Sequence, residues 1–308
     1  MLTVTSYFNP MRLRRRLANY QTFRSRLDVP LVTVELAFDG QFELTSSDAD
    51  HLIQLSGGDI MWQKERLLNI ALEAVPDKVE DLAWIDCDLV FESADWPEAA
   101  KQALKSDNVI QLFSEVRYLN KSSTDKLEFS SIPGLLRSSA GSELSTGEFK
   151  DVCLVRAESV GARKAVWPAN GFALAAKKSI IREIKLYDHG ALDGNDILFL
   201  CAIYGEFEIA MERLKHNHMQ RRHYLEWAQH AHETFGGAAM QTGEASTEKC
   251  SKPDLLKKFS SPDRLLDLDS LSLRENLEAQ CAMRWHHRAT FACTVPKVER
   301  QSVRFKMD

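Results

Sequence analysis

Residues 81–91 read Asp-Leu-Ala-Trp-Ile-Asp-Cys-Asp-Leu-Val-Phe, an apolar run that passes through two aspartates and then resumes. Leu82, Ala83, Trp84 and Ile85 would be apolar on both faces of an extended segment, which suits a central parallel strand covered by helices on each side. Strand side chains alternate with a period of two, so Asp86 and Asp88 are expected on one face. The carboxyl end of such a strand is where open α/β sheets bind ligands. Two carboxylates there offer hard oxygen donors, suited to a Mg²⁺ or Mn²⁺ ion that keeps positions open for substrate phosphates. The same tripeptide also occurs as a solvated turn, and its surroundings have to separate the two.

Those surroundings alternate between strand and helix signals. A short strand over residues 2–5 precedes a basic helix in which Leu13, Leu17, Tyr20, Phe23 and Leu27 recur at helical spacing with arginines opposite. Residues 31–38 form a β-branched strand closed by Asp39 and Gly40. Residues 42–47 and 51–58 carry short strand signals, and residues 60–75 a helix that stops at Pro76. A helix over 97–104 and a strand over 108–116 follow the aspartate strand. The alternation predicts an α/β fold, a mostly parallel twisted sheet flanked by helices. Residues 120–150, rich in Ser, Gly and Lys, read as a long surface loop. Beyond them come a helix over 179–186, an acidic loop over 188–196, an apolar helix over 197–207 and a polar helix over 221–234. A flexible insertion over 236–254 and one or two short helices after Leu255 complete the chain. The division expected is a sheet-containing domain over 1–210 and a helical extension over 211–308.

Composition narrows the function classes. The 308 residues can bury a sizeable core, and 44% apolar with 27% charged residues is ordinary for a globular protein. A net charge of −5 argues against nucleic acid as a partner. No apolar run is long enough to span a bilayer and no signal-peptide core is visible, so no transmembrane segment and a cytoplasmic location are expected. The six cysteines are scattered with no Cys-x-x-Cys pair, consistent with thiols in a reducing compartment.

Four segments, in order, resemble the GT-A fold glycosyltransferases, in particular the family 2-like nucleotide-diphospho-sugar transferases. They are VTSYFNP (4–10), WQKERLLNIAL (62–72), WIDCD (84–88), and NGFALAAKK (170–178) followed by LYDHGALDGND (186–196). The resemblance spans roughly residues 3–205. It implies a metal-dependent hexosyltransferase that moves a sugar from a nucleotide-diphosphate donor to a glycan, lipid-linked or protein acceptor. Manganese or magnesium would sit at the Asp-x-Asp motif, with Asp88 as direct ligand and Asp86 holding the ribose or a metal-bound water. Lys64 would reach the diphosphate, Asn69 a base or ribose edge, and Glu35 the nucleoside. Asp196 would act as general base in an inverting displacement, with Asp193 as understudy. Each has a plainer counterpart: a solvated lysine, a structural asparagine, a strand-end glutamate, and for Asp196 a helix N-cap. Gly171 would allow close backbone approach, and Trp167 or Phe172 could stack on a sugar.

One departure stands out. Enzymes of this type often place a late histidine on the metal, yet residues 235–254 contain none. His216, His218, His286 and His287 are the nearest candidates, and surface histidines explain them as well. A catalytically weak or inactive nucleotide-sugar-binding protein is therefore the alternative. A nucleotidyltransferase is disfavoured, because residues 4–16 lack the glycines of a triphosphate-gripping loop.

Overall fold

The computed structural model describes residues 1–58, 62–119, 136–140, 169–190, 194–236, 241–242 and 255–259. Among these, seven strands form the main sheet: β1 (Leu2–Phe8), β2 (Leu31–Ala37), β3 (His51–Ser56), β4 (Asp81–Ile85), β6 (Val109–Gln111), β9 (Ala173–Lys177) and β10 (Gln241–Thr242), in the order β10-β6-β9-β4-β1-β2-β3. β1 pairs in parallel with both β2 and β4, and β2 with β3. β9 runs antiparallel between β4 and β6. The mostly parallel sheet read from the strand–helix alternation is thus present. A smaller sheet holds β5 (Leu89–Phe91), β7 (Glu115–Leu119), β8 (Leu136–Ser138) and β11 (Leu255–Phe259), in the order β5-β11-β7-β8.

Helices cover both faces of the main sheet, as the two-sided apolar strands require. Odd and even strand positions divide cleanly. Leu2, Val4, Val32, Val34, Leu82, Trp84 and Leu174 pack in one cluster with α2 (Lys64–Ala74), α4 (Lys178–Ile184), α5 (Asn195–Tyr204), α6 (Phe207–Arg213) and α7 (His218–Phe235). Ala83, Ile85, Ile110, Ala173 and Ala175 face the other way, towards α1 (Arg14–Ser25) and α3 (Trp96–Ala103). α5 is buried from Ile197 through Ile203, which explains a sequence that is apolar all round. α7 begins with a capping box: the Asn217 side chain accepts from the Met219 and Gln220 amides, and the Gln220 side chain accepts from the Asn217 amide.

Several expected boundaries move. The strand through the aspartates stops at Ile85, and residues 86–88 turn the chain out of the main sheet. Leu89 to Phe91 then pair with β11 in the smaller sheet. Asp86 and Asp88 therefore occupy a turn rather than one face of a continuous strand. The expected strand over 108–116 is likewise two strands in two sheets, β6 and β7. Residues 42–47, read as a short strand, are irregular and end in a turn. β8 lies within the segment read as a loop, and residues 255–259 are a strand rather than the start of a helix. α6 runs across the expected boundary at 210, and α7 beyond it packs into the same core cluster. Most of 120–150, most of 236–254, and residues 260–308 lie outside the described residues.

Candidate active site at the switch point of the sheet

Chain order along the sheet reverses between β1 and β4: β2 and β3 lie to one side of β1, and β4 to the other. The crevice outside the carboxyl ends of two such strands is the standard ligand position in open α/β sheets. Asp86 is the first residue beyond β4 and sits in this crevice. Its amide donates to the Phe172 carbonyl at 2.7 Å, tying it to the segment that leads into β9.

Lys64, at the start of α2, brings the distant acids together. Its Nζ donates to Asp86 Oδ1 at 2.8 Å and to Asp196 Oδ1 at 3.1 Å. Burial works against a charged Lys64, but Asp196, Asp86 and Glu65 outweigh it and hold the ammonium firmly protonated. Asp196 lies in the first turn of α5, one residue inside the helix and two beyond its N-cap, Gly194. It is thus not the N-cap that the sequence suggests, although a carboxylate in this turn still suits the helix dipole. Its carboxylate rests on the backbone of Gly171, where an added Cβ would lie 2.2 Å away. The next residue, Phe172, holds φ +76. That conformation is strained for an aromatic residue, and such strain clusters at functional sites.

A second acid stands behind this group. Glu65 is buried, and its Oε2 accepts from Trp62 Nε1 at 2.8 Å and from Asn195 Nδ2 at 2.7 Å. Burial first, and Asp196 after it, push its carboxyl up to about 7 against the opposing pull of Lys64. The space among Lys64, Glu65, Asn170, Asn195 and Asp196 is only about 10 Å³, room for about one water.

The other predicted residues fall around this centre. Asn69 is committed to the backbone: its amide group pairs with both the Leu186 carbonyl and the Leu186 N–H at 2.8 Å. It also donates to Asp188. Asp188 is partly buried, which raises its carboxyl, but His189, Arg66 and Asn69 prevail and hold it at about 2. Glu35 belongs to a separate cleft of about 220 Å³ at the ends of β1 and β2, lined by Tyr7, Asn9, Arg12, Asp39 and Glu43 among others. Its oxygens accept from the Glu43 and Leu44 amides and from Gln54 Nε2, so it anchors the loop that forms one wall. Phe172 stacks on Phe113, with ring centroids 6.1 Å apart, in an apolar cluster. His216 is driven down to about 4 by burial and by Arg221. Asp193, Trp167, His286 and His287 lie outside the described residues.

The resemblance implies a divalent cation at the aspartate turn. Among the described residues, no group of three His, Cys, Asp or Glu side chains is arranged to hold one. Two carboxylates on one turn nevertheless match the donor chemistry of an ion that takes its remaining ligands from water and phosphate.

Glu65 and Asn195 escaped the sequence reading. A signal was present: Glu65, Leu68 and Leu72 share one face of α2, so the glutamate stands in line with an apolar stripe.

A scan against protein-family models and a search of curated proteins each give no match. Among solved structures, the chain is similar to the galactosyltransferase LgtC in complex with donor and acceptor sugar analogs, at 10% identity and a TM-score of 0.34, covering 96% of this chain and 98% of that one. It is similar to TarS 1–349 of S. aureus at 11% identity and a TM-score of 0.34, covering 76% and 70%. It is also similar to the 4-diphosphocytidyl-2C-methyl-D-erythritol synthase of Anaerococcus prevotii, at 9% identity and a TM-score of 0.33, covering 74% and 95%. At such identities and TM-scores the likeness transfers no chemistry to this chain.

Proposed function

We propose that this protein is a glycosyltransferase that moves a sugar from a nucleotide-diphosphate donor to an acceptor hydroxyl. The observation that carries it is the meeting of Asp86, Lys64 and Asp196, from three separate segments, at the switch point of the sheet. The cleft at the ends of β1 and β2 is smaller than the roughly 300–1,000 Å³ of whole-ligand pockets, which suits the nucleoside part of a donor. Lys64 is buried, touches Asp86 at the turn, and supplies positive charge to the diphosphate. Asp196 keeps 30% of its side chain exposed and can accept the acceptor's hydroxyl proton, which gives an inverting displacement. A Mg²⁺ or Mn²⁺ ion at Asp88 would, when bound, neutralise charge on the leaving diphosphate. The acceptor would be a glycan, a lipid-linked sugar or a protein.

A second possibility, nucleotide-sugar binding without turnover, is favoured by one observation: Lys64 engages both carboxylates in a nearly filled space. Incubation with Mn²⁺ or Mg²⁺ and a panel of UDP- and GDP-sugars, followed by donor hydrolysis and transfer, separates the two. Turnover supports the transferase. Tight donor binding with no turnover supports the binding protein, and no binding of any nucleotide sugar overturns both.

A further inference from the structure

We propose that Glu65 is a positioning residue of the Lys64–Asp196 group: it grips Asn195 in the first turn of α5 and so fixes where Asp196 presents its carboxylate. The catalytic meaning of this rests on the function proposed above, but the positioning itself does not. Gly194, the N-cap of α5, accepts from the Ile197 and Leu198 amides through its carbonyl but has no side-chain oxygen to offer the first turn. Glu65 reaches across from α2 to the side chain of the first helical residue, and Asn195 Nδ2, itself buried, donates to it at 2.7 Å. Behind Asn195 the chain closes in at Gly190, where an added Cβ would lie 2.0 Å from Asn195 Oδ1. Asn195 is therefore clamped between a carboxylate and a glycine backbone, and Asp196 follows it directly. Trp62 Nε1 fixes the same Glu65 oxygen from the other side.

The charged groups that act on Glu65 are Lys64 and Asp196, which oppose each other. With Glu65 ionised, the site holds three carboxylates, on Asp86, Asp196 and Glu65, around one ammonium. With Glu65 protonated it holds two.

Two measurements test this. In wild-type protein the Trp62 indole ¹H–¹⁵N resonance, assigned with Trp62→Phe, should titrate with a midpoint near 7, and in Glu65→Gln it should not. The Asp196 side-chain carboxyl ¹³C resonance should move in Glu65→Ala and stay closer to wild type in Glu65→Gln. In transfer assays, Glu65→Ala should lower kcat more than tenfold with donor KM within about twofold. Glu65→Gln should recover at least part of that loss while losing the pH-profile limb near 7. If Glu65→Ala does not fold, Glu65→Asp decides instead, because it shortens the reach to Asn195: an Asp196 resonance and kcat unmoved in Glu65→Asp would overturn the proposal. An Asp196 resonance and kcat unmoved in Glu65→Ala would also overturn it. Absence of transfer in wild-type protein would count against the proposed reaction, while the two resonances would still decide the positioning.

Discussion

Gly171 is where the backbone makes room for chemistry, because an added methyl would meet the Asp196 carboxylate at 2.2 Å. Gly171→Ala should displace Asp196 and lower transfer at least as far as Asp196→Asn does. Removing the proposed base in Asp196→Asn should slow transfer by about 10²–10⁴-fold while leaving donor affinity intact, as checked by steady-state kinetics beside calorimetric titration of the donor. Lys64→Met should be a stability mutant as well as a binding one. It leaves Asp86 and Asp196 facing each other without their shared cation, and breaking a buried pair in this way costs roughly 3–5 kcal/mol, towards the lower end here because both acids keep some exposure. Urea denaturation reads that loss. Glu65 gives stability a pH dependence of definite sign. Its folded-state value is raised above its unfolded one, so its contribution is present below the unfolded range near 4.5 and is lost as pH rises through about 7. Glu65→Gln should therefore flatten the wild-type decline in melting temperature between pH 5 and 8.

At this scale the sequence was partly legible. Asp86 could be singled out by its place at the end of an apolar run, and Lys64 and Asp196 by the resemblance, and the structure brings the three together. Their mutual distances could not be read, since 132 positions separate Lys64 from Asp196. Asn69 shows the opposite limit. Its amide looked available to a ligand, and only the fold reveals that the Leu186 backbone already occupies it.

Among the elements, the smaller sheet depends on β11, which lies between β5 and β7 and pairs with both. A proline there removes a ladder donor from a strand with neighbours on each side. Leu256→Pro should accordingly expose the amides of residues 89–91 to hydrogen exchange, while those of β1 and β2 stay protected. An unchanged exchange pattern would show that β5 does not need this partner. The same pairing explains why the aspartate strand was misjudged. Residues 81–91 look continuous because both halves are apolar, but the second half pairs with residues more than 160 positions away in the chain. Periodicity along one segment carries no information about its partner. Helices were more legible than strands, because the stripe of a helix is written within it: α1, α2, α3 and α5 lie within a few residues of their expected positions. Termini were less legible: α2 begins four residues late, and α5 two residues early, with Asp196 inside its first turn.

At the scale of the whole molecule, the α/β class was legible because alternating strand and helix signals leave few arrangements open. The insertion of β9 was not, since Ala173–Lys177 is too short and too rich in alanine to announce a central strand. Its place has a consequence for how the protein is made. β4 and β6 are near neighbours in the chain, yet they do not touch in the sheet until residues 173–177 arrive between them. During synthesis the ribosome must therefore deliver the chain through residue 177 before the middle of the sheet can close, and until then both strands expose apolar edges of the kind that chaperones hold. Nascent chains arrested before residue 173 should be cut by protease within 81–111, whereas chains long enough to free residue 177 from the exit tunnel should resist. Equal resistance of the shorter chains would mean that β4 and β6 find temporary partners of their own.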